Sequence, residues 1–160
     1  ANEERRFHGT GMTCNFAVDP SAGPCQDVHC SVCTICARSF DLDLAGKGPG
    51  GTRMALRYGR GVYTSRTSSK ANDYAIGSDR GGVRVMFLCK VLLGQPLKVK
   101  EDRLDEADVD ARIVARGQGG QFDSVLGLKL GADGGSLNYE ENVVYAVDQA
   151  LPSYVIVYRL

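Results

Sequence analysis

Val83-Arg84-Val85-Met86-Phe87-Leu88-Cys89-Lys90-Val91-Leu92-Leu93 is apolar at every position except Arg84 and Lys90. A run of this kind, bounded by turn residues and rich in Val, reads as a strand buried at the centre of a sheet. Working outward, residues 142–147 and 154–160 are rich in Val, Ile and Tyr and read the same way, as buried central strands. Shorter strands are expected at 61–64, 96–99 and 124–130, set apart by turns carrying Gly, Asp or Pro. Two helices are expected. One covers 66–76, with Thr67 or Ser68 as N-cap and Gly77 as terminator, and one lies near 106–116, ending before Gly117. Strands therefore outnumber helices, and the glycine-rich stretches 46–51, 117–120 and 131–135 read as loops rather than linkers.

A chain of 160 residues with 43% apolar content can bury one core well and has too little for two, so one domain over 1–160 is expected. Lys and Arg together number 19 and so do Asp and Glu, which excludes a global field that would draw the chain onto nucleic acid or an anionic membrane. No apolar run reaches the roughly 18–20 residues of a membrane span, and Ala1-Asn2-Glu3-Glu4-Arg5-Arg6 lacks a signal peptide's apolar stretch, so a soluble protein without membrane partners is expected. Charge is nevertheless patterned. Residues 44–72 carry Lys47, Arg53, Arg57, Arg60, Arg66 and Lys70 with no acidic residue, whereas 101–110 hold Glu101, Asp102, Asp105, Glu106, Asp108 and Asp110 against Arg103. The acidic stretch reads as a solvated loop and helix face. The basic strip reads as cations facing solvent and a phosphate-bearing ligand, with a nucleic-acid acceptor as the alternative.

Cysteine use is lopsided. Cys25, Cys30, Cys33 and Cys36 are clustered, while Cys14 and Cys89 stand apart. Thiols at Cys25-x4-Cys30-x2-Cys33-x2-Cys36 are too close in sequence for several unstrained disulfides but suit one tetrahedral ion, so a structural zinc in an insertion at about 14–36 is expected, with His29 or Cys14 as substitute ligands. Unbound thiols, disulfides and iron–sulfur ligation are the alternatives. A metal-binding reading implies a reducing, intracellular compartment, without distinguishing cytoplasm from nucleus.

Taken singly, His8, an isolated tyrosine or a carboxylate in a strand is more often structural than chemical. Together, Phe7-His8-Gly9-Thr10, Gly59-Arg60-Gly61-Val62-Tyr63-Thr64-Ser65, Ser68-Ser69-Lys70-Ala71-Asn72-Asp73-Tyr74 and Glu141-Asn142-Val143-Val144-Tyr145, in this order, say more. They resemble the catalytic domain of the poly(ADP-ribose) polymerase family, the diphtheria-toxin-type ADP-ribosyltransferases, with the middle blocks nearest the tankyrase branch. The resemblance runs from about residue 6 to the end. It implies an α+β fold in which two packed, mainly antiparallel sheets with a few short helices form a split NAD-binding cleft.

The resemblance carries the family's His-Tyr-Glu set onto His8, Tyr63 and Glu141. His8 would grip the adenosine ribose, and the backbone of Gly9 would read the nicotinamide carboxamide, which a residue without Cβ can approach closely. Tyr63 and Tyr74 would sandwich the nicotinamide ring, with Thr10, Ser69 and Ala71 beside it. Glu141 would oppose the positive charge that develops on the ribose as its bond to nicotinamide breaks. Glu140 competes for that role, but alternation along a strand sends adjacent side chains to opposite faces, and the register Glu-x-Val-Val-Tyr favours Glu141. Two departures from the family stand out. The usual nicotinamide-binding serine is replaced by Ala71. Tankyrases carry zinc after the segment equivalent to Tyr74, where this chain has neither Cys nor His between 75 and 84. The implied activity is NAD-dependent transfer of single ADP-ribose units to a protein acceptor, automodification included. Nucleic-acid modification, NAD hydrolysis and a catalytically silent zinc-containing binding module are the alternatives.

Overall fold

The computed structural model describes residues 2–48, 54–76, 82–113, 121–131 and 134–160. Seven strands among them form two sheets. The first has the order β1-β3-β7, built from β1 (Glu3–Gly9), β3 (Val83–Leu92) and β7 (Ala150–Arg159), all antiparallel. The second has the order β2-β6-β5-β4, from β2 (Val62–Thr64), β6 (Glu141–Val144), β5 (Ser124–Gly127) and β4 (Pro96–Val99). Its pairs are antiparallel except for the parallel β4/β5 pair. Three short helices, α1 (Ser31–Arg38), α2 (Ser68–Asn72) and α3 (Glu106–Arg112), complete an α+β architecture of the class expected.

The apolar run at 83–93 is the middle strand of the first sheet. Val85, Phe87, Cys89 and Val91, on alternate positions, are buried in one core with Val32 and Ile35 of α1. A second core gathers Val125 and Val143 with Val109 of α3 and Tyr58. The sheets meet where Phe7 and Ser65 exchange backbone hydrogen bonds of 2.8 and 2.9 Å. A buried side-chain bond from Arg6 Nε to Asn142 Oδ1, 2.9 Å, ties β1 to β6 beside that joint. From there the sheets diverge and leave a cleft.

Several expectations require correction. The 154–160 segment lies in β7, which is an edge strand: Leu151, Tyr154, Val155 and Val157 are exposed. An apolar run reports a preference for extended backbone, not whether anything covers its outer face. The 124–130 strand stops at Gly127. The 66–76 helix is only Ser68–Asn72; Thr67 is at the N-cap position but its side chain makes no capping bond. In α3, Asp105 caps by accepting from the Asp108 N–H, and the helix ends at Arg112. Gly77 and residues 114–120 lie outside the described residues, as do Arg53 and parts of the other glycine-rich stretches. Strand β1 and helix α1 were not foreseen as elements. Among the described residues, no helix is long and apolar enough to cross a membrane.

Candidate functional site

Strand β1 ends in His8 and Gly9, beside the joint between the sheets. His8 Nδ1 lies 2.8 Å from the carbonyl oxygen of Tyr63. A carbonyl only accepts, so Nδ1 carries the proton and Nε2 is left as an acceptor. Burial holds the imidazole below its ordinary pKa, outweighing the Tyr63 carbonyl, so the neutral form is favoured. The Phe40 ring meets it edge-on with centroids 5.0 Å apart, which limits the ring's rotation.

Gly9 presses against the backbone of α2. A Cβ built on it would stand 1.7 Å from the Ala71 carbonyl oxygen, so any side chain is excluded there. Its backbone therefore forms part of the cleft wall beside Ala71, and both residues line the cavity with Thr10.

Tyr63, on β2, is locked by two bonds at its phenol oxygen. It donates to the Gly59 carbonyl at 2.8 Å and accepts from the Tyr58 N–H at 2.9 Å. Tyr145 donates to the Tyr58 carbonyl at 2.7 Å, and fully buried Tyr58 donates to the Glu101 carbonyl at 3.0 Å. This tyrosine network was not read from the sequence. It fixes the turn before β2, and burial pushes the phenols of Tyr63 and Tyr145 up, keeping them protonated as donors.

Glu141 opens β6 and its side chain is buried at the cleft. Burial raises its carboxyl above the ordinary range, while the Lys70 and Arg57 charges pull it back. Lys70 Nζ stands 3.7 Å from Glu141 Oε1, 3.2 Å from Tyr74 Oη and 4.8 Å from the centre of the Tyr74 ring. In the sequence Lys70 has a place in the basic strip and in the block ending at Tyr74, but no role at the site. Spacing of four on the expected 66–76 helix could have paired it with Tyr74, though not with Glu141. Glu140 does not line the cavity. Neither does Ser69, which is exposed on α2, so the structure does not bring it to the other expected contacts.

The cleft has a volume of about 370 Å³. His8, Gly9, Tyr63, Ala71, Tyr74 and Glu141, contributed by both sheets, by α2 and by the turn after it, share it. Its far wall comes from the cysteine segment and the loop behind it, including His29, Thr34 and Ile35. The basic strip is largely paired: Arg57 with Asp102, Arg60 with Asp43 at 3.1 Å, and Arg66 with Glu4 at 2.8 Å.

The thiol cluster differs from the expected set by one member. The sulfurs of Cys14, Cys25, Cys30 and Cys33 all lie within 4.8 Å of one another, and Cys36 is not among them. Cys30 caps α1 and Cys33 sits in its first turn, so both reach the loop that carries Cys14. Cys36 lies a turn farther along the helix, packed against the first core. All six cysteines are free thiols.

A family model described as the poly(ADP-ribose) polymerase catalytic domain matches residues 29–160. That span includes Tyr63, Tyr74 and Glu141 and starts after His8 and Gly9. Two similar proteins are a poly [ADP-ribose] polymerase 2 from Zea mays, 29% identical over 120 residues, and a poly [ADP-ribose] polymerase 2-A from Oryza sativa subsp. japonica, 30% identical over 120 residues. Each alignment takes in 62% of this chain, but only 18% of the maize protein and 17% of the rice protein, so the chain spans less than a fifth of either relative. Neither relative speaks to the tankyrase branch.

Proposed function

The chain belongs to the poly(ADP-ribose) polymerase catalytic-domain family, and on that premise we propose that it is an NAD-dependent ADP-ribosyltransferase that works as one domain over residues 1–160. The observation that carries this reading is the convergence of His8, Gly9, Tyr63, Tyr74 and Glu141, drawn from both ends of the chain, on one cleft. His8 Nε2 accepts from an adenosine-ribose hydroxyl. The N–H and C=O of Gly9 hold the nicotinamide carboxamide, and Tyr63 and Tyr74 flank the ring, with Thr10 and Ala71 completing the wall.

In the reaction, the bond between nicotinamide and the ribose anomeric carbon breaks. Its electron pair leaves with nicotinamide, neutralising the pyridinium, and positive charge builds on the anomeric carbon and ring oxygen. The Glu141 carboxylate opposes that charge in a site that burial keeps poor in water, where a fixed charge acts strongly. The acceptor's nucleophilic atom then bonds to the anomeric carbon, and any proton it carries is released to solvent water. Glu141 is also available to orient the acceptor.

A protein side chain, on this or another molecule, is the acceptor class the reading favours, with single units transferred in a reducing, intracellular compartment. Pairing of Arg57, Arg60 and Arg66 with carboxylates supports the protein acceptor, because those cations are already partly neutralised. Alongside NAD as substrate, structural zinc is the ion that the clustered thiols suit. Incubation with NAD labelled in its adenosine half tests the reaction. Nicotinamide release with protein-bound label is expected. Free ADP-ribose alone would replace transfer by hydrolysis, and no nicotinamide release would leave a silent binding module.

A further inference from the structure

Four thiols gathered from two loops and the first turn of α1 form a more complete constellation than a chance cluster. Cys14 Sγ lies 3.4 Å from Cys33 Sγ and 3.8 Å from Cys30 Sγ, and with Cys25 no pair of sulfurs exceeds 4.8 Å. Thiolates placed about 2.3 Å from a zinc ion at tetrahedral angles are about 3.8 Å apart. The cluster therefore has the dimensions of a single-ion cage. A disulfide needs sulfurs about 2 Å apart in two exclusive pairs, whereas here Cys14 is near two partners at once.

The surroundings are those of a thiolate site. The Thr13 N–H is directed at Cys30 Sγ and the Phe16 N–H at Cys14 Sγ, both at 3.4 Å, so backbone donors face the sulfurs that would carry negative charge. Cys30 and Cys33 are fully buried, and Cys14 and Cys25 are half-buried against the same core. Asp27 laces the two loops together: its carboxylate accepts from the Thr13 hydroxyl at 2.8 Å and from the His29 N–H at 2.9 Å.

We infer that Cys14, Cys25, Cys30 and Cys33 form a closed tetrathiolate zinc site that holds the α1 wall of the cleft in place. Four protein ligands leave no position for water or substrate, so the ion is structural. Its effect on the cleft is geometric. Cys30 and Cys33 bracket Ser31 and open the helix that carries Thr34 and Ile35, and all three of these residues line the cavity. The site defines the ligands of the zinc proposed above and does not depend on the transfer reaction, since metal content is read without NAD.

The test is elemental analysis of the full chain purified without added metal, for the wild type and for Cys14→Ser, Cys36→Ser and Cys14→His. About one zinc per chain is expected in the wild type and in Cys36→Ser, falling close to zero in Cys14→Ser. Cys14→His should regain zinc, because imidazole is also a zinc ligand, and this separates lost ligation from lost folding. Exchange with Co²⁺ should give the intense visible absorption of a tetrahedral thiolate site, absent from Cys14→Ser. Iron in place of zinc, native disulfides among these thiols, or zinc kept by Cys14→Ser and lost from Cys36→Ser would each overturn the assignment.

Discussion

Lys70 Nζ and Glu141 Oε1 face each other across 3.7 Å, one on a five-residue helix of the cleft wall and the other at the start of a strand in the second sheet. Burial alone would push the Glu141 carboxyl toward its neutral form, and the Lys70 ammonium is the strongest charge resisting it. Replacing Glu141 with Gln removes the negative charge while keeping size, so nicotinamide release should fall about a hundredfold or more, the scale of losing one well-placed electrostatic group. NAD binding measured by calorimetry should change far less. In the wild type, activity should drop as pH falls through the raised carboxyl pKa. Lys70→Met should move that acid limb to higher pH. An acid limb that stays put in Lys70→Met, or a fully active Glu141→Gln with an inactive Glu140→Gln, would reassign the carboxylate.

His8 gives a second pH dependence, seen in stability. Its folded pKa is depressed by burial, so between that value and the ordinary imidazole value of about 6.5 the unfolded chain binds a proton that the folded chain does not. The contribution is fully favourable above about pH 6.5 and is lost progressively as pH falls below it. Thermal melts from pH 8 to 5 should show a steeper acid decline for the wild type than for His8→Gln. Parallel declines would mean that His8 is not held neutral.

Ala71 stands at the cleft where the resemblance expects a serine. Ala71→Ser adds a hydroxyl to a residue that lines the cavity, and should tighten nicotinamide binding by about 0.5–1.5 kcal/mol if it reaches the carboxamide. Nicotinamide inhibition should strengthen accordingly, about twofold to a little over tenfold. Unchanged or weaker inhibition would show that another group already meets that need.

Gly9→Ala should be among the most damaging small substitutions in the chain. The added methyl would fall 1.7 Å from the Ala71 carbonyl oxygen, and neither backbone can yield without moving β1 or α2. A stability loss of about 1–3 kcal/mol, with NAD binding abolished, is expected from denaturant titration and calorimetry. Normal NAD affinity in a folded Gly9→Ala would separate the β1 end from the nucleotide site.

Strands were legible where local pattern and burial agree. The expectation at 96–99 coincides with β4, and that at 83–93 differs from β3 by one residue. Reading failed where tertiary packing decides the outcome. Residues 31–38 look like metal-binding loop because two thiols, Cys33 and Cys36, dominate the pattern, yet Val32 and Ile35 face the core with helical spacing and make the segment α1. That helix also explains why the fourth sulfur of the cluster is Cys14, expected only as a substitute, rather than Cys36. Spacing within 25–36 favoured Cys36, whereas helical geometry carries it past the cluster and a loop remote in sequence delivers Cys14. At the candidate site, His8, Tyr63 and Glu141 were recognisable by type and order. The Lys70–Glu141 contact and the tyrosine network exist only once the sheets meet, and no sequence spacing encodes that meeting.

The order β1-β3-β7 also bears on how the chain acquires its shape during synthesis. The middle strand leaves the ribosome well before Ala150–Arg159, the segment that covers its second edge. Until then an apolar strand has one unpaired edge, the arrangement most prone to pairing with other chains. Contacts between segments so distant in sequence also form slowly. Yield should therefore depend on temperature and chaperone supply during expression. Destabilising β7, which contributes no residue to the lining of the cleft, should show itself first as insoluble protein rather than as an enzyme with altered kinetics.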